Sequence, residues 1–163
     1  MLGPVHDQHG DAVTPRASLI ARVGELPALA ANVWMGGAHT PHGEDITVEG
    51  LAAAWLLDCA GDMPAAHRSA AGRWIACVFP DLDGHPLRFA RIQELATEAA
   101  TAVRHGHTTD LYIVCQHGMN RSGLVTGLVL RELGLSGPDA LERILAARPG
   151  ALSNVAFRRL VLG

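Results

Sequence analysis

Lysine is absent from the 163-residue chain, so all 13 of its basic side chains are arginine. Without lysine the chain cannot form a Walker A phosphate loop, a Schiff base or a pyridoxal phosphate linkage, and it has no lysine general base. Cysteine is scarce as well: the three thiols are widely spaced without a CxxC pair, which disfavours a disulfide framework and a zinc site. No apolar run approaches about 18 residues, so no transmembrane helix is expected.

Length and charge narrow the class of protein further. A chain of 17.2 kDa with 48% apolar and 18% charged residues suits one globular domain with a single core. The net charge of −3 argues against nucleic acid or an anionic membrane as the main partner. The first residues lack the basic-then-apolar pattern of a secretory signal, and the scarce cysteines suit a reducing compartment, so a cytoplasmic monomer is expected.

Residues 1–16 are rich in glycine, proline, histidine and aspartate without periodicity, which predicts a flexible tail before a single domain of residues 17–163. The predicted strands are 32–35, stopped by Gly36 and Gly37, a buried strand 73–79 and the all-apolar strand 111–114. The predicted helices are 48–60, 87–104, 121–133, 138–148 and a last one capped by Ser153, with 61–72 a loop. This alternation indicates one α/β domain with a central, mostly parallel sheet flanked by helices.

The segment IVCQHGMNRSG carries the strongest chemical signal in the chain. An apolar strand ends in Cys115, five residues follow, and Arg121 then opens an apolar helix. A loop that enters a helix N-terminus directs unpaired backbone N–H groups into one concavity. Five intervening residues can wrap these donors around a tetrahedral oxyanion, which Arg121 grips with a bidentate fork. The candidate substrate-binding residues of this Cys–Arg loop (residues 115–121) are Gln116, His117, Gly118, Met119, Asn120 and Arg121.

The same positive field acts on Cys115 at the floor of the loop. It favours the thiolate, which is the nucleophilic form and can attack phosphorus to give a phosphocysteine. Gly118 permits backbone angles that other residues avoid, so the loop can curl. The Ser122 hydroxyl can donate to the sulfur and help the thiolate leave in the second step. The motif thus predicts phosphomonoester hydrolysis with Cys115, Arg121 and Ser122 as catalytic residues.

About residues 30–162 resemble the dual-specificity and related small cysteine phosphatases of the protein tyrosine phosphatase superfamily. Besides the Cys–Arg loop, the resemblance rests on VWMGG, FPDLDG and RILAARPGALSNVAFRRLVL, which are similar to the family's opening strand, its acid-bearing segment and its closing helices with their arginine–proline turn. It implies the phosphatase fold and a phosphorylated protein as substrate. The single arginine of the loop favours phosphotyrosine, with phosphoserine or phosphothreonine also admitted, over a multiply phosphorylated head group.

The reaction also needs a proton donor for the leaving oxygen, and one carboxyl group on a loop can serve as acid and then as base. In the small members of the family the acid lies three residues after a proline, which the resemblance assigns to Asp83. The larger tyrosine-specific members place the acid directly after the proline, which leaves Asp81 as the alternative. Asn154 either holds the loop and orients water or simply begins the last helix, and both interpretations stay open.

Other features qualify this interpretation. Most family members have histidine directly before the nucleophile, where this chain has Val114, so a catalytically weak phosphate-binding module is the alternative function. Cys77 is a candidate for a reversible disulfide with the nucleophile, although a buried apolar cysteine is the simpler interpretation. Two histidine clusters, residues 39–45 and 105–107, lack helical metal-ligand spacing and a cysteine partner, so neither a metal nor another cofactor is expected.

Overall fold

A six-stranded sheet lies at the centre of the computed structural model, which describes residues 14–163. Its strands are β1 Thr14–Ala21, β2 Asn32–Thr40, β3 Glu44–Asp45, β4 Ala54–Asp58, β5 Arg73–Ala76 and β6 Asp110–Cys115. They run in the order β3-β1-β2-β6-β4-β5. The strands β2, β6, β4 and β5 are parallel to one another, whereas β1 is antiparallel to both of its neighbours, β2 and β3.

Helices cover both faces of the sheet unequally. They are α1 Ala65–Ala70, α2 Phe89–His105, α3 Arg121–Glu132, α4 Gly137–Ala147 and α5 Val155–Leu162. Side chains of α2, α3, α4 and α5 form the main apolar core with one face of the sheet. A smaller cluster covers the other face, where the 3₁₀ turn Glu49–Leu51 and the end of α1 pack. The predicted α/β domain with a mostly parallel sheet flanked by helices is confirmed.

The pattern predictions for the second half of the chain are confirmed to within one or two residues at each end. In α2 the apolar side chains spaced three and four apart are buried on one face, namely Ile92, Leu95, Ala96, Ala99 and Val103. Helix α3 is buried along most of its length because it crosses the core. The Ser136 hydroxyl accepts the Asp139 N–H and caps α4. Among the described residues, no helix is long and apolar enough to cross a bilayer.

The predicted helix 48–60 is wrong. This segment forms the 3₁₀ turn Glu49–Leu51 and then β4, which lies between β6 and β5. A strand that is covered on both faces needs apolar side chains in both directions, so its sequence resembles that of a buried helix. The high alanine content of the segment strengthens its helical pattern, but hydrogen bonding to β6 on one edge and β5 on the other makes it a strand.

Smaller corrections concern the ends of other elements. Gly36 and Gly37 do not stop β2, which continues to Thr40. Residues 14–16 of the predicted tail belong to β1, and the rest of that prediction, residues 1–13, lies outside the described residues. The predicted loop 61–72 contains the short helix α1, and the strand predicted as buried, 73–79, ends at Ala76 on an exposed edge of the sheet.

Candidate active site

The Cys–Arg loop joins β6 to α3 at the carboxyl edge of the parallel strands, where α/β proteins usually bind ligands. Cys115 is the last residue of β6, is 3% exposed, and Arg121 is the first residue of α3. No side chain of the described residues caps the N-terminus of α3, and its first turn carries no acidic residue. The positive end of the helix dipole therefore remains available to an anion at the loop.

Each carbonyl between Cys115 and Arg121 accepts a hydrogen bond from outside the loop. The donors to the carbonyls of residues 116–120 are, in order, His39 N, Arg148 Nη2, Arg148 Nε, Leu152 N and Leu124 N, at 2.7–3.2 Å. A trans peptide unit directs its C=O and N–H to opposite sides, so the N–H groups of residues 117–121 point away from these donors. Those N–H groups have no acceptor among residues 14–163, which leaves them free for an oxyanion.

Two glycines let β2 lie directly against the loop. A Cβ on Gly37 would lie 2.6 Å from both the carbonyl oxygen of Gln116 and the amide nitrogen of Gly118. Gly118 itself has φ +74°, a left-handed conformation that side chains disfavour, and a Cβ there would lie 2.7 Å from the backbone of Gly36. The shape of the loop therefore depends on the absence of side chains at both contact points.

The arginine–proline turn, residues 148–154, holds the other side of the loop. Arg148 is 3% exposed and binds two loop carbonyls, while the N–H of fully buried Leu152 binds a third. Leu152 has φ +57°, a costly conformation for a branched side chain. The Asn154 N–H donates to Oδ1 of Asn120 at 2.9 Å. Four consecutive loop residues are thus fixed by one turn of the chain.

The candidate nucleophile lies beneath this loop with its expected hydroxyl partner. The Sγ atom of Cys115 is 3.2 Å from Oγ of Ser122, which is fully buried. A serine hydroxyl can accept from a thiol and donate to a thiolate, so the pair suits either ionisation state. The Arg121 guanidinium is half-buried and donates through Nη1 to the Phe79 carbonyl at 3.5 Å, which joins α3 to the segment that carries the candidate acids.

Both candidate acids lie on the aspartate loop (residues 80–88) beside the Cys–Arg loop. The two carboxylate oxygens of Asp81 accept from the side-chain amides of Asn120 and Asn154, each at 2.9 Å. The Asp83 side chain forms no hydrogen bond with any described residue. Asp83 nevertheless lines the same cavity of about 560 Å³ as Asp81, Asn120 and Asn154. The structure brings both aspartates to the site, holding one and leaving the other free.

Asn154 begins the last helix and also contacts the loops of the site, while its role in orienting water stays a prediction. Its Oδ1 accepts the Phe157 N–H at 3.2 Å and caps α5, so Asn154 rather than Ser153 begins the last helix. Its Nδ2 donates to Asp81 and to the Leu82 carbonyl, each at 2.9 Å. Asn154 therefore connects the aspartate loop to the turn that holds the Cys–Arg loop.

The three cysteines lie side by side across the carboxyl edge of the sheet. Asp58 pairs with Val114 in the parallel register, which places the next residue, Cys59, beside Cys115. Cys77 lies beyond Cys59, because β4 separates β5 from β6, so the candidate disulfide partner Cys77 follows a strand that does not neighbour the Cys115 strand. All three are buried free thiols. Burial, reinforced by the neighbouring Cys115, raises the pKa of Cys59 well above its ordinary value, and burial also raises the pKa of Cys77.

Val114 points away from the nucleophile. Its side chain is fully buried in the smaller apolar cluster, with Ala38 and Leu56 among the members. A histidine there would bury its ring nitrogens in an apolar environment, which is costly unless both find partners. Within residues 14–163, no group of three or more His, Cys, Asp or Glu side chains is arranged to hold a metal ion.

Comparison with known proteins gives matches in structure alone. No family model and no curated protein sequence matches the chain. The chain is similar to a mouse protein described as a dual-specificity phosphatase in complex with zinc tungstate, at 18% identity and a TM-score of 0.64, covering 99% of this chain and 90% of that chain. Human DUSP28 is 17% identical with a TM-score of 0.62, covering 98% and 94%.

A third solved structure, PTPMT1 in complex with PI(5)P, is 13% identical with a TM-score of 0.63, covering 88% of this chain and 90% of that chain. At such low identities the similarity shows the fold. The chain therefore has the fold of the dual-specificity and protein tyrosine phosphatases, as the resemblance of its sequence predicted.

Two residues of the site carry no chemical signal of their own in the sequence, and a third has contacts that the sequence does not predict. The pattern places Gly37 at the end of a strand, and it predicts Asn120 as a substrate-binding loop residue rather than as a side-chain partner of Asp81. Arg148 was only a part of the arginine–proline turn. An arginine directly before Pro-Gly at a helix end was the available signal, because a long side chain at such a turn can reach back to an earlier loop.

Proposed function

We propose that the chain is a cysteine-dependent phosphatase that hydrolyses phosphomonoesters of proteins through a phosphocysteine intermediate. The observation that carries this proposal is the Cys115 thiol, 3.2 Å from the Ser122 hydroxyl, at the base of a loop whose carbonyls are all bonded on the outside. Free N–H donors fixed before the substrate arrives stabilise developing negative charge without reorganisation. The fold shared with dual-specificity phosphatases supports the same class of reaction.

The reaction has two balanced steps. In the first, the Cys115 thiolate bonds to phosphorus while the P–O bond to the alcohol breaks, and an aspartic acid gives its proton to the leaving oxygen. In the second, the same carboxylate takes a proton from water, the water oxygen bonds to phosphorus, and the S–P bond breaks to release inorganic phosphate. Ser122 donates to the departing thiolate, and Arg121 holds the phosphoryl oxygens throughout.

Asp83 is the proposed general acid and Asp81 the anchor of its loop. Side-chain amides bind both carboxylate oxygens of Asp81 at 2.9 Å, and a carboxylate held on both sides suits an anchor of the loop better than a group that must reach the substrate. Asp83 is exposed and bound to no described residue, so its carboxyl group is free to reach a leaving oxygen over the Cys–Arg loop. Asn154, through its bonds to the aspartate loop, keeps that loop beside the substrate.

Phosphotyrosine is the preferred substrate in this proposal, with phosphoserine and phosphothreonine weaker. The Cys–Arg loop has no lysine and one arginine, a charge suited to a single phosphate. Val155, which is 54% exposed, lines the cavity beside the loop, and Leu82, which is 64% exposed, lies in the chain between the lining residues Asp81 and Asp83. An aromatic ring gains most from such a border, because it buries a large apolar area there.

The test is hydrolysis of p-nitrophenyl phosphate across a range of pH, with wild type, Cys115→Ser and the control Cys77→Ser side by side. We expect a bell-shaped profile for wild type and Cys77→Ser and no turnover for Cys115→Ser, since only Cys115 is the nucleophile. Activity retained in Cys115→Ser would refute the mechanism. A folded, inactive wild type that still binds vanadate would instead identify a phosphate-binding module.

Substrate class needs a separate measurement. Matched peptides carrying phosphotyrosine, phosphoserine or phosphothreonine, and a short-chain phosphoinositide, would be compared by phosphate release. We expect kcat/KM to be highest for the phosphotyrosine peptide. A preference for the phosphoinositide would refute the protein substrate while leaving the phosphocysteine reaction intact.

A further inference from the structure

Arg148 is a buried cation that touches the Cys–Arg loop from behind. Its guanidinium is 3% exposed and lies on the side of the loop opposite the free N–H groups. Each of its nitrogen atoms donates to a neutral acceptor. Nε donates to Gly118 O at 2.7 Å, and Nη2 donates to His117 O and Thr40 Oγ1, both at 3.2 Å. Nη1 donates to Ser18 Oγ at 2.9 Å and to His42 O at 3.3 Å. Its donor capacity is thereby filled.

The charge of Arg148, in contrast to its hydrogen bonds, is not balanced by a carboxylate. The ion pairs among residues 14–163 involve Arg16, Arg73, Arg91 and Arg143, all of them on exposed or half-exposed side chains. A buried cation without an anionic partner is costly, by several kcal/mol in general. Because Arg148 lies directly behind a loop shaped for an anion, an anion bound in that loop would offset the cost of burying its charge.

We propose that Arg148 is a positioning residue that orients two peptide units of the Cys–Arg loop toward the phosphoryl group and whose charge is balanced by the Cys115 thiolate and then by bound phosphate. The inference rests on the proposed function, because it assumes that the loop binds a phosphoryl group. It assigns to Arg148 two separable effects, one of geometry and one of charge.

The geometric effect follows from the peptide plane. Arg148 holds the carbonyls of His117 and Gly118, so the N–H groups of the same peptide units, which belong to Gly118 and Met119, point to the other side of the loop. These are two of the donors available to an oxyanion. The fork of a guanidinium reaches both carbonyls from one side chain, whereas a lysine ammonium is a single point donor.

The charge effect follows from the surroundings of Cys115. Burial lowers the pKa of the Arg148 guanidinium, and the charge of the Cys115 sulfur acts on that pKa in the opposite direction, so the two side chains lie close enough to interact electrostatically. Val114 supplies no charge from the position before the nucleophile. The other titratable or charged side chains on the segments around Cys115 are Asp58, Cys59, Cys77, Asp81, Asp83, His117 and Arg121.

The experiment compares wild type with Arg148→Met, Arg148→Lys and the control Arg143→Met. Arg143 lies on α4, the helix that ends directly before Arg148, is half-buried and pairs with Glu25 away from the loop. Two readouts need no turnover: the rate of Cys115 alkylation by iodoacetamide against pH, measured by mass spectrometry of the modified peptide, and the affinity for vanadate. Thermal unfolding shows whether each variant is folded.

The two effects predict different outcomes for the two substitutions. Arg148→Met should move the midpoint of the alkylation profile upward by about one pH unit, the lower end of what a lost opposite charge produces. It should also weaken vanadate binding about tenfold or more. Arg148→Lys should keep the midpoint close to that of wild type, because it keeps the charge, but should still weaken vanadate binding. Arg143→Met should change neither readout.

Contrary outcomes are equally definite. A folded Arg148→Met with an unchanged midpoint would refute the charge effect, and Arg148→Lys with wild-type vanadate affinity would refute the orientation of the donors. Should Arg148→Met fail to fold, Arg148→Gln, which keeps a donor without the charge, replaces it. A wild type that binds vanadate without hydrolysing any phosphomonoester would refute the phosphatase proposal and leave both readouts for Arg148 in force.

Discussion

Replacing Gly37 with alanine tests how tightly β2 supports the Cys–Arg loop. The added Cβ would lie 2.6 Å from Gln116 O and Gly118 N and 2.8 Å from the carbonyl carbon of His117. The shortest of these is about 0.8 Å less than the 3.4 Å at which ordinary Cβ contacts begin. All three atoms belong to the backbone, so no side-chain rotation relieves the overlap and the loop itself must move.

The expected result of Gly37→Ala is a loss of activity larger than the loss of stability. A displacement approaching 1 Å at a site that positions reacting groups costs up to about 10²-fold in rate, so kcat/KM for p-nitrophenyl phosphate should fall roughly 10- to 100-fold. Overpacking of a well-packed contact costs about 1–3 kcal/mol of unfolding free energy, which a domain of this size tolerates. Steady-state kinetics and urea unfolding measure the two quantities on the same preparation.

Gly127→Ala is the matched control. Its Cβ would lie 2.5–2.6 Å from the methyl carbons of Val161, so it overpacks the contact between α3 and α5 away from the loop. We expect a comparable loss of stability with kcat/KM close to that of wild type. If Gly37→Ala kept full activity, or if both variants lost activity in proportion to stability, the idea that β2 sets the shape of the loop would be wrong.

Three further predictions concern single side chains. Asp83→Asn should lower kcat about 10²–10⁴-fold for esters with poor leaving groups and remove the basic limb of the pH profile. If Asp81→Asn lowered kcat more than Asp83→Asn, Asp81 would be the acid. Arg121→Ala should weaken both vanadate binding and kcat, and unchanged vanadate affinity would remove Arg121 from the site. Peroxide should convert Cys115 to a sulfenic acid, which the Cys59 thiol then attacks with loss of water to form a disulfide. Peptide mapping identifies the partner, and a disulfide to Cys77 instead would contradict the β4–β6 register that places Cys59 beside Cys115.

The placement of the candidate catalytic residues could be predicted from the sequence because it depends on a contiguous segment. Cys115, Arg121 and Ser122 are close in the chain, and the strand–loop–helix context fixes their relative placement. The second half of the fold was equally accessible, because α2 and α4 keep one apolar face and carry clear end signals. Local pattern and tertiary structure agree in these segments.

The remainder depends on contacts that a pattern does not encode. β4 was predicted as helix because periodicity cannot distinguish a strand covered on both faces from a buried helix. The support of the loop by Arg148 and Gly37 joins segments far apart in the chain, as does the pairing that places Cys59 rather than Cys77 beside the nucleophile. Hydrogen-bond partners and strand order decide these features, and neither is visible along the sequence.

The bonds of Arg148 have a consequence for folding. Its partners Ser18 and Thr40 precede it by 130 and 108 residues, while Gly118 precedes it by 30. The observed shape of the loop therefore forms only after β1, β2 and the arginine–proline turn have docked, late in a folding reaction dominated by non-local contacts. Ligand and fold are coupled by mass action in the same way: an oxyanion at about 100 times its dissociation constant stabilises the native state by about 2.7 kcal/mol. Under the proposed function, phosphate therefore stabilises the folded chain, and a partly folded chain lacks the phosphate site.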